Sequence, residues 1–221
     1  MGTYKFRWDV VWNNMPFLLS GLEQTLLISA ITLVLSVLLG MVIALADLSP
    51  VRPVRFLGYA FGEIVRNTPI LVQLLWVYYV LPIVFDISID AFSACIIGLT
   101  VYSSAFISEI YRAGIQSVPA GHREAARVLG MSPFDTFVRV VLPQALRVTL
   151  PPLAANFVQL IKYSSLAAVI SVSEVTRRGM ELSASTFRPM EIFTFIGILY
   201  FCICWPLAQS IRFWEARLAA R

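Results

Sequence analysis

The sequence predicts an all-α integral membrane protein that crosses the bilayer about five times. Of its 221 residues, 58% are hydrophobic and only 14% charged, and the mean hydropathy is +0.78. An average soluble domain is roughly 45–50% apolar and about 25% charged. A water-soluble chain of this composition would expose large apolar patches, whereas a bilayer requires them. The apolar residues also gather into runs near the roughly 20 residues that cross a hydrocarbon core, with short polar segments between them. The net charge of +4 and pI near 9.1 come from basic residues scattered between those runs, which fits basic membrane loops and argues against a nucleic-acid partner.

The first span is expected from about Thr25 to Ala46. It carries Thr32, Ser36, Gly40 and Ala44 at every fourth position, a stripe of small residues that lets a neighbouring helix approach. Arg52, Pro53 and Arg55 form a basic loop after it. The second span runs from about Pro69 to Phe85, after the polar stretch Glu63, Arg66, Asn67, Thr68, and Pro69 suits a first helical turn. Asp86 and Asp90 mark a short acidic loop, and the third span follows from about Ala91 to Ile110. The fourth, about Pro152 to Val172, reads as broken at Lys162-Tyr163-Ser164-Ser165, because each apolar half is too short to cross alone. The fifth, about Ile192 to Ile211, should kink at Pro206, and the tail is basic with Arg212, Arg217 and Arg221. The stretch before the first span, with Lys5, Arg7 and Asp9, lacks the pattern of a cleaved leader, so the first apolar run is expected to stay in the membrane. Cys95, Cys202 and Cys204 lie inside apolar runs. Cys202 and Cys204, two apart, point different ways on a helix and suit neither a metal nor a disulfide.

Lysine and arginine bias in short loops sets orientation. An outside N-terminus places the Arg52 loop, the arginine-rich stretch Arg112 to Arg147 and the tail in the cytoplasm; the loop with Arg177 and Arg178 is the exception. Within the long loop, about 116–147, the residues spell two short helices around a glycine. Gly130 can take the left-handed conformation that ends the first. Ser132 can cap the second, Pro133 fits its first position, Asp135 suits its positive end, and Pro143 is expected to stop it. The product is a cytoplasmic knob carrying Val128, Leu129, Met131, Phe134 and Phe137, apolar side chains that call for a protein partner.

Glu124-Ala125-Ala126, then Gly130, then Val140-x-Leu142-Pro143 resembles the "EAA" loop of binding-protein-dependent ABC importer permeases, with Val140 where the family usually has Ile. The resemblance implies the type I importer permease fold, one permease domain over residues 1–221, and a loop that enters a cleft of the ATPase. On that basis Glu124, Ala125, Ala126, Gly130, Ser132, Pro133, Leu142 and Pro143 are the expected ATPase-coupling residues. Arg66-Asn67-Thr68-Pro69 with Gln73, Ser108-Glu109-Ile110-Tyr111-Arg112-Ala113-Gly114-Ile115, Leu142-Pro143-Gln144-Ala145 and Lys162-Tyr163-Ser164-Ser165-Leu166 resemble segments of the polar amino-acid permeases, those for histidine, glutamate, glutamine, arginine and opines. The likeness runs from Gly21 to the last span. It implies partners for this chain: an ABC ATPase dimer, a second permease subunit that is a copy or a relative, a soluble amino-acid-binding protein, and the lipid of a bacterial inner membrane.

No Gly-rich loop ending Gly-Lys-Ser or Gly-Lys-Thr occurs, so ATP and Mg are expected on the partner and no cofactor on this chain. Lys162 near mid-span costs at least about 2.5–3.5 kcal/mol if ionised without water or a partner. Lys162, Tyr163, Ser164 and Ser165 are therefore substrate-pathway candidates, with Glu109, Gln73 and Tyr102 beside them. Tyr163 stands where the family usually has Asp, which removes a natural partner for a substrate ammonium group. Glu109 is placed to pair with Arg112 one turn on, or with Arg66. His122, the only histidine, suits neither a metal site nor a catalytic pair. An ion-driven transporter would call for an internal repeat, and a membrane enzyme for clustered His, Cys or acids at one depth. Neither pattern is visible.

Overall fold

The computed structural model describes residues 4–219. Arg221 of the basic tail therefore lies outside the described residues. Eleven α-helices, two π-turns and one 3₁₀ segment account for the described secondary structure, with no strand among the described residues. A short α1 (Asp9–Asn13) precedes the long α2 (Met15–Asp47). Then come α3 (Arg52–Arg66), α4 (Ile70–Leu75), a π-turn (Trp76–Val80) and α5 (Leu81–Phe85). After α6 (Ala91–Gln116) come α7 (Ala120–Val128), α8 (Pro133–Thr136), a π-turn (Phe137–Val141), α9 (Leu142–Tyr163) and the 3₁₀ segment (Ser164–Ile170). The described chain closes with α10 (Val175–Thr186) and α11 (Pro189–Ala219).

Four helical stretches are long and apolar enough to cross a membrane: Met15–Asp47, Ala91–Gln116, Pro133–Ile170 and Pro189–Glu215. A fifth exists if the bent pair Arg52–Arg66 and Ile70–Phe85 is one span. This is the expected all-α membrane architecture, with longer helices than hydropathy alone marks out, because the polar ends continue the helical ladder into the interface.

Two details correct the sequence reading. Pro143 does not stop its helix. The helical path runs unbroken from Pro133 to Ile170, with a wide π-turn just ahead of the proline. A proline removes one N–H and crowds the carbonyl four residues back. A local π-turn relieves both, and another precedes Pro82. Nor do Lys162 to Ser165 interrupt the span. Ser164 Oγ donates to Ile161 O at 2.8 Å and Ser165 Oγ to Lys162 O at 2.6 Å. The hydroxyls are satisfied by their own helix, and the chain only tightens from α to 3₁₀ at Ser164. The left-handed turn at Ser171 (φ 65°) ends it.

Two compact units divide the chain. One comprises Met1–Thr32, Ile70–Leu99 and Val158–Ala208; the other comprises Leu33–Pro69, Thr100–Phe157 and Gln209–Arg221. The first is built on Ile28, Leu74, Leu99, Ala167 and Ile170, with a second cluster around Leu18, Val175, Leu182 and Ile192. The second unit is built on Ala44, Ile107 and Tyr111, and on Val118, Val141 and Ala145. The small-residue stripe of α2 is buried throughout. At Gly40 an added Cβ would lie 2.7 Å from Ile107 Cγ2, so α2 and α6 meet where no side chain larger than hydrogen fits.

Candidate coupling surface and transport site

The knob forms as its residues dictate. Gly130 has φ +75°. Its N–H donates to Arg127 O at 3.0 Å and the Met131 N–H donates to Ala126 O at 3.1 Å, the paired bonds of a Schellman end to α7. Ala126 and Thr136 are buried, while Glu124 and Ala125 are exposed. Ser132 caps α8: its Oγ accepts from Asp135 N at 3.0 Å and donates to the Asp135 carboxylate at 2.6 Å. Pro133 occupies the first turn, and Asp135 pairs with Arg139 at 3.2 Å. Arg123 donates to Ile115 O, and His122 Nδ1 lies 2.9 Å from Gln144 Oε1, fixing α7 against the end of α6 and the start of α9.

This scaffold holds three large apolar side chains in solvent: Val128 is 88% exposed, Leu129 79% and Phe134 75%. Folding leaves them outward while Val118, Val141 and Ala145 fill the interior behind. Leu142 is half-buried, and Pro143 is exposed on the continuous helix.

The pathway candidates divide between the units. Lys162, Tyr163, Ser164, Ser165 and Gln73 belong to the first, Glu109 and Tyr102 to the second. Lys162 is exposed, and its ammonium group has no ion pair or hydrogen bond among the described residues. It borders a cavity of about 350 Å³ with Val158, Tyr200, Phe201, Cys204 and Trp205. Tyr163 packs on the Leu74–Ala167 core and Ser164 is fully buried, so of this run Lys162 is the one that lines the cavity. Gln73 is half-buried, and the Tyr102 ring lies 4.9 Å from Phe106. Of the two partners open to Glu109, the structure selects Arg112, with Nε donating to Oε2 at 2.9 Å. Arg66 instead bonds Glu63 at 2.7 Å and Ala105 O at 3.0 Å.

One buried site, at Glu174, carries no motif in the sequence. Its carboxylate is fully buried. It accepts from Arg177 N at 2.8 Å, Thr176 N at 2.9 Å, Tyr200 Oη at 3.1 Å and Thr25 Oγ1 at 3.4 Å. It thereby caps α10 and ties α2, α10 and α11 together within the first unit. Burial pushes its carboxyl above the ordinary range, opposed by the two backbone N–H bonds. Its position one residue before a helix start was the available signal.

A helical protein with several candidate spans and large apolar side chains held in solvent on a locked turn is a membrane protein with a candidate docking surface for another protein. Residues 36–220 match the family model "binding-protein-dependent transport system inner membrane component", and the chain belongs to that family. It is similar to the glutamine transport system permease protein GlnP of Escherichia coli (strain K12), 36% identical over 215 residues and covering 97% of this chain and 98% of GlnP. It is equally similar to the L-cystine transport system permease protein TcyB of Bacillus subtilis (strain 168), 36% identical over 213 residues, covering 96% and 91%. Among solved structures, one described as an amino acid ABC transporter with histidines superposes with a TM-score of 0.91 at 33% identity, covering 97% of this chain and all of that one. The fold is that of an ABC importer permease.

Proposed function

We propose that this chain is the membrane-spanning subunit of an ATP-driven importer of polar amino acids, delivered by a soluble binding protein. In this reading ATP and Mg are bound and hydrolysed on a separate ATPase dimer. The observation that carries it is the knob: Val128, Leu129 and Phe134 stand in solvent on a turn locked by Gly130 and Ser132. Burying such side chains contributes roughly 1.5–3 kcal/mol each, enough for three of them to seat a partner. Glu124, Ala125, Ala126, Pro133, Leu142 and Pro143 frame the contact.

The helical path that starts at Pro133 in the knob continues without a break to Ile170 and carries Lys162. In this reading the ATPase docks at Phe134 and substrate passes Lys162, where an ammonium suits a substrate carboxylate. A second permease subunit, a copy or a relative, completes the pathway, with Glu109, Gln73 and Tyr102 as further lining candidates. Lys and Arg bias puts the N-terminus outside and the knob in the cytoplasm of an inner membrane.

The names of the relatives support the substrate class: glutamine for GlnP and cystine for TcyB. The test is cross-linking. With the native cysteines replaced, a cysteine or photoreactive residue at Phe134 should capture a co-purifying ATPase, and one at Ile89 should not. A cysteine at Arg123 should react only with reagents that enter the cytoplasm. Capture from Ile89 instead, or labelling at Arg123 from outside, contradicts the docking and the orientation together.

A further inference from the structure

A cavity in the second unit is distinct from the knob surface and from the Lys162 cavity. It encloses about 790 Å³ between the end of α2, the length of α3 and the end of α6. Arg112 and Gln116 on its wall are followed within a few residues by α7, so the cavity opens at the knob end of that unit.

Its charges sort into spent and unspent. Arg66 is held by Glu63 and by Ala105 O, and Arg112 by Glu109. Asp47 turns Oδ1 away from solvent, against the α3 backbone, where a Cβ on Gly58 would lie 2.6 Å from it. Arg52 and Arg55, in the first turn of α3, line the cavity and are exposed, and their guanidinium groups have no ion pair or hydrogen bond among the described residues. Two unpartnered guanidiniums side by side are a fork for a phosphate oxyanion.

The rim decides the kind of phosphate. Phe56 and Tyr59 also line the cavity, 67% and 59% exposed. Leu57 and Ile64, seven residues apart on α3, stand still more open. A helix with arginines on one side and exposed apolar residues on the other belongs at a membrane interface, with its apolar side among acyl chains. A soluble phosphate gains nothing from such a rim, whereas a phospholipid uses both parts. Basic pockets between spans on the cytoplasmic side are a recurring place for anionic headgroups.

We infer that the cavity bounded by Arg52 and Arg55 is a binding site for an anionic phospholipid, its phosphate on the two guanidiniums and its acyl chains leaving along the exposed rings of Phe56 and Tyr59 on the rim. Arg52 and Arg55 are not among the proposed substrate-pathway residues, although Glu109, which is, stands on the wall of the same cavity.

The test titrates the purified, delipidated full chain with phosphatidylglycerol, with phosphatidylcholine of the same acyl chains, and with inorganic phosphate, read by native mass spectrometry. Phosphatidylglycerol should bind more tightly than phosphatidylcholine. Arg52→Gln with Arg55→Gln should weaken phosphatidylglycerol about twenty-five-fold, from roughly fivefold per arginine, and phosphatidylcholine, whose choline cation offsets its phosphate, by much less. Neither guanidinium has a hydrogen bond or ion pair among the described residues, and Arg55→Gln alone should give about fivefold if the double variant does not purify. Arg147→Gln, which removes an exposed charge elsewhere, should leave the affinity unchanged. Undiminished phosphatidylglycerol binding in the double variant overturns the site, as does an equal loss in Arg147→Gln. Displacement of the lipid by inorganic phosphate alone would assign the fork to a soluble ligand and overturn the lipid.

Discussion

Replacing Gly130 isolates one term of the coupling mechanism. Its φ of +75° lies in the left-handed region, and a Cβ placed there meets nothing within 4 Å. No clash arises, so the whole effect of Gly130→Ala is backbone strain, roughly 1–2 kcal/mol for an ordinary residue. That strain opposes the turn presenting Leu129 and Phe134. At about 1.4 kcal/mol per factor of ten, it corresponds to a roughly 5- to 30-fold loss of affinity for the ATPase. Gly130→Val should lose more, since a β-branched side chain tolerates this region least, and Gly130→Asn should lose least, since Asn visits it routinely. The assay is retention of the ATPase on the tagged permease across a concentration series, with yield in the membrane as control. The ranking Gly, Asn, Ala, Val is the signature of a conformational requirement. Equal losses for Asn and Ala, or no loss with Val, would refute the reasoning and remove the turn from coupling.

Other substitutions probe the remaining parts. Lys162→Met should leave membrane insertion and ATPase retention intact and cut substrate-stimulated ATP hydrolysis or uptake by tenfold or more, on the order of one lost charge-assisted hydrogen bond; unchanged uptake would remove Lys162 from the pathway. Gly21→Ala should cost about 1–3 kcal/mol of stability, read as a lower thermal unfolding midpoint. There the new Cβ would lie 2.7 Å from Val175 N and 2.8 Å from Glu174 C, backbone atoms that cannot rotate aside. Gly179→Ala should cost less, because its nearest contact is the mobile Cδ1 of Ile196. For Glu174 the folded carboxyl titrates above the ordinary 4.5, raised by burial, so its protonated form is the one the fold favours. Its contribution to stability is therefore complete below the ordinary value and is lost as pH rises through the raised one. The unfolding midpoint of the parent relative to Glu174→Gln should fall across that window, and a difference that rises with pH would contradict the sign.

Local chemistry made much of this legible in the sequence. Gly130, Ser132 and Pro133 each act within three or four residues of their position, and all three do what their types favour. The spans were legible from hydropathy because a bilayer leaves no other way to satisfy a long apolar backbone. The misreadings came from polar residues with alternative outcomes. Pro143 reads as a stop, but a π-turn ahead of it lets the helix pass. Ser164 and Ser165 read as a polar break, yet their hydroxyls return to the carbonyls of Ile161 and Lys162. Glu174 depends on Thr25 and Tyr200, whose bonds to it span 149 and 26 residues, and no local pattern encodes such partners. The amphipathic α3 was hidden because its arginines resembled a loop and its apolar residues fell short of a span.

In the proposed function this permease moves polar amino acids only when a separate ATPase drives it through the knob. The most direct measurement is uptake of labelled polar amino acids into liposomes holding the permease and its co-purifying subunits, with ATP inside and the soluble binding protein outside. Uptake should require ATP, the ATPase and the binding protein together. It should fall to background when Leu129 and Phe134 are both replaced by Asp, with the permease still inserted. Uptake that persists without ATP and follows an imposed ion gradient, or that survives the loss of the knob's apolar side chains, would contradict the account.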